Sequence, residues 1–230
     1  MNRILLLAPL MTIVALPASA RTVLSLNATG SAVAVPDEAV ANFEVQATKS
    51  DAATAQSAVN QAVAKALAAA RAVSNVTATT NGYNTYAIVP DHQTTQEFTT
   101  TQNLTLMQPA TGGVPDEAFS DLLARLQSEG LLLTGLKGDL SVAGRQNLQR
   151  EAVRDALTQL HAEAKTVADS LHMKIAGLQT LTVNAEGGII PPVGPRMMIM
   201  AASAAPPQSA PDNVSVTAEV NATFALDPTP

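Results

Sequence analysis

The chain has 230 residues, 47% of them apolar, 14% charged and 3% aromatic, with neither cysteine nor tryptophan. Without cysteine there is no disulfide staple, no thiolate nucleophile and no zinc-thiolate site. A formal charge of -6 and the lack of any Lys/Arg cluster exclude nucleic acid as the main partner, because phosphate binding needs concentrated positive charge.

Residues 1–20 read MNRILLLAPLMTIVALPASA, with an early cation at Arg3, an apolar run from Ile4 to Leu16, and small residues at Ala18 and Ala20. This is the pattern that signal peptidase cuts, so a signal peptide over 1–20 with cleavage near Ala20 is expected. The apolar run is shorter than the roughly 20 residues that span a bilayer, and no later stretch approaches that length. The expected product is a mature chain with no transmembrane segment, periplasmic or secreted.

From Val23 to Thr48 two alternating runs flank Pro36-Asp37, and the simplest expectation is two strands paired with each other. Ser50 is the expected cap of a helix from Asp51 to about Val73, in which Val59, Val63, Leu67 and Ala70 recur every three or four residues. Runs from Val76 to Val89 and from Gln96 to Met107, joined by the polar segment around Asp91, predict a long hairpin. A helix over Pro115 to Glu129 follows. It sets Phe119, Leu122, Leu123 and Leu126 on one side, Asp116 and Glu117 at its positive end, and Gly130 at its close.

Leu131 to Val142 reads as a strand. The longest helix then runs from about Gln146 to Met173, with Leu148, Ala152, Ala156, Leu160, Ala164, Val167 and Leu171 as its buried stripe. A strand over Ile175 to Ala185 is next. The last strand alternates most clearly, with Val214, Val216, Ala218, Val220, Ala222, Phe224 and Leu226 set against Ser215, Thr217, Glu219, Asn221 and Thr223, as in an antiparallel sheet wet on one face. Between these two strands lies a Pro/Met-rich loop, 187–212, holding 6 of the 14 prolines together with Met197, Met198 and Met200. A connection of that length without periodicity is long for a compact domain. The fold class expected is α+β, antiparallel sheets packed by three helices, in two lobes of approximately 21–110 and 114–227 that share a continuous chain.

Four stretches carry a family resemblance: LSLNATGSAVAVPDEAVANFEVQA near the N-terminus; the alanine-rich helix leading into VTATTNGYNTYAI; the long segment from LKGDLSVAGRQ through the helix containing Ala164-Lys165 to IAGLQTLTV; and PPVGPRMMIMAASAAPP followed by VSVTAEVNATFAL. In this order they resemble the SIMPL-domain family of exported bacterial proteins, which includes periplasmic immunogenic and oxidative-stress-associated members. EFTTTQNLTL departs from the family in lacking a Gly-Tyr-Arg start. The resemblance spans nearly all of 21–227. It implies an α+β fold with helices on antiparallel sheet and, in some members, assembly into periplasmic rings, without implying an enzymatic activity.

Candidate chemistry is sparse. His92, His161 and His172 are scattered, and the last two, eleven residues apart on one helix, stand about 16 Å apart along its axis, too far to share a metal. Asp169 and His172 are i, i+3 neighbours and Glu151 and Asp155 are i, i+4 neighbours. Amid Arg150 and Arg154 they read as surface ion pairs rather than an acid-base couple. No G-x-S-x-G elbow surrounds Ser141 or Ser170, and Gly112-Gly113 and Gly187-Gly188 lack phosphate-loop spacing. Tyr83 and Tyr86 are expected to pack on the sheet.

Met197, Met198 and Met200 are weak candidate metal ligands, since thioethers bind soft Cu(I) and are reversibly oxidised, but loop cover or a subunit contact is the more economical role. The functional expectation is a protein that is not an enzyme and has no cofactor. It would act through self-assembly or contacts with envelope proteins, with stress defence as its setting; the alternative is a Met-rich metal-binding or oxidant-scavenging protein.

Overall fold

The computed structural model describes residues 21–89, 96–184 and 211–229. Among them the elements run β1 (Thr22–Ala34), β2 (Glu38–Lys49), α1 (Ala52–Arg71), β3 (Thr77–Ile88), β4 (Glu97–Pro109), α2 (Glu117–Ser128), β5 (Leu132–Asp139), α3 (Val142–Ser170), β6 (Met173–Asn184) and β7 (Val214–Pro228). The strands form a three-stranded sheet in the order β1-β7-β6 and a four-stranded sheet in the order β3-β4-β2-β5. Every pairing is antiparallel, so the architecture is α+β with three helices on two sheets, as expected.

Each sheet buries one face under helices. In the four-stranded sheet, Ala41, Phe43, Val45, Leu104 and Leu106 point to one side by the two-residue period of a strand. They meet Val59, Val63 and Ala66 of α1 and Phe119, Leu123 and Leu126 of α2. In the three-stranded sheet, Ala28, Val220, Ala222 and Phe224 meet Ala156, Leu160 and Ala164 of α3. A neighbouring cluster of Leu140, Leu148, Ala152, Val216 and Ala218 extends that layer toward the start of α3.

Several expectations are corrected. β1 and β2 do not pair: β1 lies against β7 over thirteen residue pairs, and β2 lies between β4 and β5. Pro36-Asp37 is therefore a crossing between sheets rather than a hairpin turn. Nor do the sheets divide at residues 110–114. β1, from the first half of the chain, completes the sheet of β6 and β7, while β5, from the second half, edges the sheet of β2.

The helix boundaries move for local reasons. Asp51, not Ser50, caps α1: its carboxylate accepts from Thr54 N at 2.8 Å and from Thr54 Oγ1 at 2.7 Å. α3 begins at Val142, a turn earlier than its periodicity suggests, because Ser141 Oγ accepts from Gly144 N at 3.1 Å and caps it there. At its far end Ala168 is buried, whereas Leu171 is 54% exposed and Val167 half-buried, so the buried stripe leaves the expected track in its last turn.

Candidate interaction surface

The residues singled out for chemistry do not converge. Met197, Met198, Met200, His92 and the expected signal peptide, residues 1–20, lie outside the described residues. His161 is exposed on α3, and His172 adopts a left-handed backbone (φ 53°) just past the helix end, where its carbonyl accepts from Thr229 N at 3.3 Å. The Asp169 carboxylate stands 3.9 Å from Lys165 Nζ, while its backbone carbonyl accepts from His172 N at 3.1 Å where the helix ends. Asp155 takes Ser31 N–H of β1 at 2.9 Å and Gln159 Nε2 at 2.9 Å, so it ties α3 to a strand edge instead of pairing with the neighbouring arginines. Tyr83 and Tyr86, expected to pack on the sheet, are 43% and 48% exposed on β3. Among the described residues, no group of three or more His, Asp or Glu is placed to hold a metal, and no helix is long and apolar enough to cross a membrane.

A polar junction ties the two layers together. Asp37 donates its N–H to Asp139 O at 3.0 Å and accepts from Ala110 N at 2.8 Å. Its carboxylate accepts from Ser141 N at 2.5 Å and Ser141 Oγ at 2.7 Å. One residue thus joins the end of β5, the exit of β4 and the N-terminus of α3, where an anionic side chain also meets the positive end of the helix dipole. Beside it, Asp139 accepts from Lys137 Nζ at 2.7 Å, from Leu140 N at 2.8 Å and from Arg145 Nη2.

The electrostatics of the junction are split. Burial raises the Asp139 carboxyl, but the hydrogen bonds from Lys137 and Leu140 and the charges of Lys137 and Arg145 outweigh it, so its pKa is lowered. Glu38 is pushed above the ordinary carboxylate range by burial first, then by the charges of Asp37 and Asp139, with Arg145 pulling the other way. Glu38, Asp139, Arg145, Met107, Val40 and Gln149 line part of an open cleft of about 440 Å³ where the first turn of α3 overhangs the four-stranded sheet. The evident work of the junction is to tie the N-terminus of α3, which packs on the three-stranded sheet, to the ends of β4 and β5 in the other sheet.

A second surface of interest lies on β6. α3 lies mainly over β1 and β7, and the helix-side residues of β6 beyond it are uncovered. Leu178, Leu181 and Val183 pair with Phe224, Ala222 and Val220, which are buried under α3, yet they are 52%, 45% and 41% exposed. β6 ends the sheet order, and among the described residues no strand pairs with its outer edge. On its other face Thr180 and Thr182 join Ser25, Asn27, Asn221 and Thr223 around a shallow polar hollow of about 340 Å³. The strand thus offers an apolar row, a polar row and, among the described residues, an outer edge with no partner strand. The Leu-Thr-Val alternation marks a strand in the sequence, but how far a helix reaches across a sheet leaves no periodic signal, so the exposed row escaped the sequence reading.

Comparison with known proteins bears on the whole of this arrangement. The model of the family SIMPL, described as "Protein of unknown function (DUF541)", matches residues 24–224. The chain belongs to the SIMPL family. The matched segment begins at Leu24 in β1 and ends at Phe224 in β7, and these two residues face each other in the ladder. The SIMPL match therefore takes in both sheets and all three helices. No curated protein matches the chain.

Proposed function

We propose that this SIMPL protein is exported through a signal peptide cleaved near Ala20, resides in the periplasm or is secreted, and works there without catalysing a reaction. It acts by contact with copies of itself or with other envelope proteins, and stress defence is the setting that its family resemblance suggests. The observation that carries this reading is the strand β6: among the described residues no strand pairs with its outer edge, and Leu178, Leu181 and Val183 form an exposed row on one of its faces. An exposed apolar edge strand is a template for pairing unless charge, proline or a covering segment blunts it.

The test has two parts. N-terminal sequencing of the protein from the envelope fraction is expected to begin at Arg21, and native mass spectrometry with in-cell crosslinking is expected to return a multimer or a crosslinked envelope protein. A chain that keeps residues 1–20 and stays in the cytoplasm overturns the location. A processed chain that is only monomeric, with no crosslinked partner, overturns the contact role.

A further inference from the structure

We infer that the partner of β6 is β6 of a second copy of this chain, the two strands pairing antiparallel about a two-fold axis near residues 180–184 so that two three-stranded sheets become one of six. This rests on the contact role proposed above and names its surface and occupant.

The edges of the two sheets are not equivalent. On β1, Asp155 of α3 occupies the outward Ser31 N–H at 2.9 Å. On β3, the pairing register breaks between Asn81 and Asn84, Gly82 takes φ 66°, and Asn84 Nδ2 donates to Gly82 O at 3.1 Å, which consumes an edge carbonyl. β5 is only eight residues long and carries Lys137 and Asp139. Each of these is a recognised means of blunting an edge. β6 has register breaks between Ile175 and Gly177 and between Leu178 and Thr180, but from Thr180 to Asn184 its pairing with β7 is regular. That stretch is uninterrupted ladder, and among the described residues no strand pairs with its outer side.

Charge selects the occupant. From Ile175 to Asn184 β6 carries no charged residue, in a chain of net charge -6. Two copies repel over most of their surface but not here, and a partner strand chosen for its own charge finds no counter-charge to read. An identical strand needs none. In an isologous antiparallel pair, residues symmetric about the axis face each other, so the Leu181/Val183 row of one copy adjoins that of the other on the helix side, and Thr180 and Thr182 adjoin their counterparts on the polar side. Both rows stay continuous across the join, and the backbone ladder supplies the directional contacts.

The absence of native cysteine makes the test clean. Single-cysteine variants of the processed full-length chain, Thr180→Cys, Leu181→Cys, Thr182→Cys and Val183→Cys, are oxidised and compared with Thr29→Cys on the β1 edge. Near the two-fold axis a residue faces its own copy with Cα atoms about 4.5–5.5 Å apart, within disulfide reach. At least one β6 variant is expected to form a disulfide dimer at tenfold or higher yield than Thr29→Cys. The double variant Leu181→Lys/Val183→Lys, with circular dichroism unchanged because both sites are exposed, is expected to weaken self-association at least tenfold. If the wild-type chain is multimeric, yet no β6 cysteine crosslinks above Thr29→Cys and the double-lysine variant associates normally, the β6 pairing is overturned while the contact role stands. If the wild-type chain is monomeric and crosslinks to nothing, both fall.

Discussion

Gly30 of β1 lies directly beneath Ala156 of α3: a Cβ built on Gly30 would stand 2.2 Å from Ala156 N and 2.3 Å from Ala152 O. The helix rests on the strand backbone itself, and only a residue without a side chain fits between them. Gly30→Ala must push α3 away from the sheet, and is expected to cost about 3 kcal/mol, the upper part of the range for overpacking. Urea denaturation against Gly177→Ala checks this, because nothing lies within 4 Å of a Cβ at Gly177, and that variant should differ little from wild type.

Ser141 carries two duties at once, accepting from Gly144 N at 3.1 Å and donating to Asp37 Oδ2 at 2.7 Å. Ser141→Ala removes the α3 cap and leaves one Asp37 oxygen without its hydroxyl donor. A loss of about 1–2 kcal/mol is expected in thermal or chemical unfolding. Ser170→Ala serves as the comparison, since its exposed hydroxyl only donates to Thr166 O within the helix, and it should be close to neutral.

Glu38 and Asp139 should move stability with pH in opposite directions. The folded protein binds a proton at Glu38 more readily than the unfolded chain does, so ionised Glu38 opposes folding. Glu38→Gln is expected to raise the denaturation midpoint at pH 7, and the gain should vanish as the pH falls below the ordinary glutamate range. Asp139 is held low, so it contributes stability above its ordinary range that is lost as the pH falls through its folded pKa. Asp139→Asn should therefore lower the midpoint at pH 7 and matter less near pH 3. Midpoints measured from pH 3 to 8 on both variants test the opposed slopes.

Leu160 is 3% exposed in the core of the α3 layer, while Leu171, on the same expected stripe, is 54% exposed at the helix end. Leu160→Ala is expected to cost about 3 kcal/mol. Leu171→Ala should change stability by no more than about 0.5 kcal/mol. Guanidinium titrations of the two variants separate the observed packing from an uninterrupted stripe running to the end of the helix.

Elements were legible in the sequence and partners were not. The alternation of Val214 through Leu226 marked β7, and the spacing of Val59, Val63 and Ala70 marked α1, because periodicity records which side of an element is dry. It does not record which strand lies alongside. Pro36-Asp37 suits a turn between paired strands as well as a crossing between sheets. What distinguishes them is that Ala28, Gly30 and Ala32 give β1 a face of small residues. That face fits the alanine stripe of Ala152, Ala156 and Ala164 on α3, and the match becomes visible only once both faces are placed. The cap of α1 was missed for a related reason: Ser50 and Asp51 are both good cap residues, and choosing between adjacent candidates requires the backbone angles. At β6 the strand itself was readable, but the exposure of Leu178, Leu181 and Val183 depends on α3 lying mainly over β1 and β7.

The pairing of Leu24 with Phe224 also sets an order of events. The four-stranded sheet is complete by Asp139, but the first strand of the chain has its partner strand in the last. Until β7 is in place α3 covers an unfinished layer, and residues 22–34 lack their partner strand. Closing a contact across some two hundred residues is slow compared with local folding, so the four-stranded sheet is expected to form first and the sheet that joins the two ends of the chain to close last.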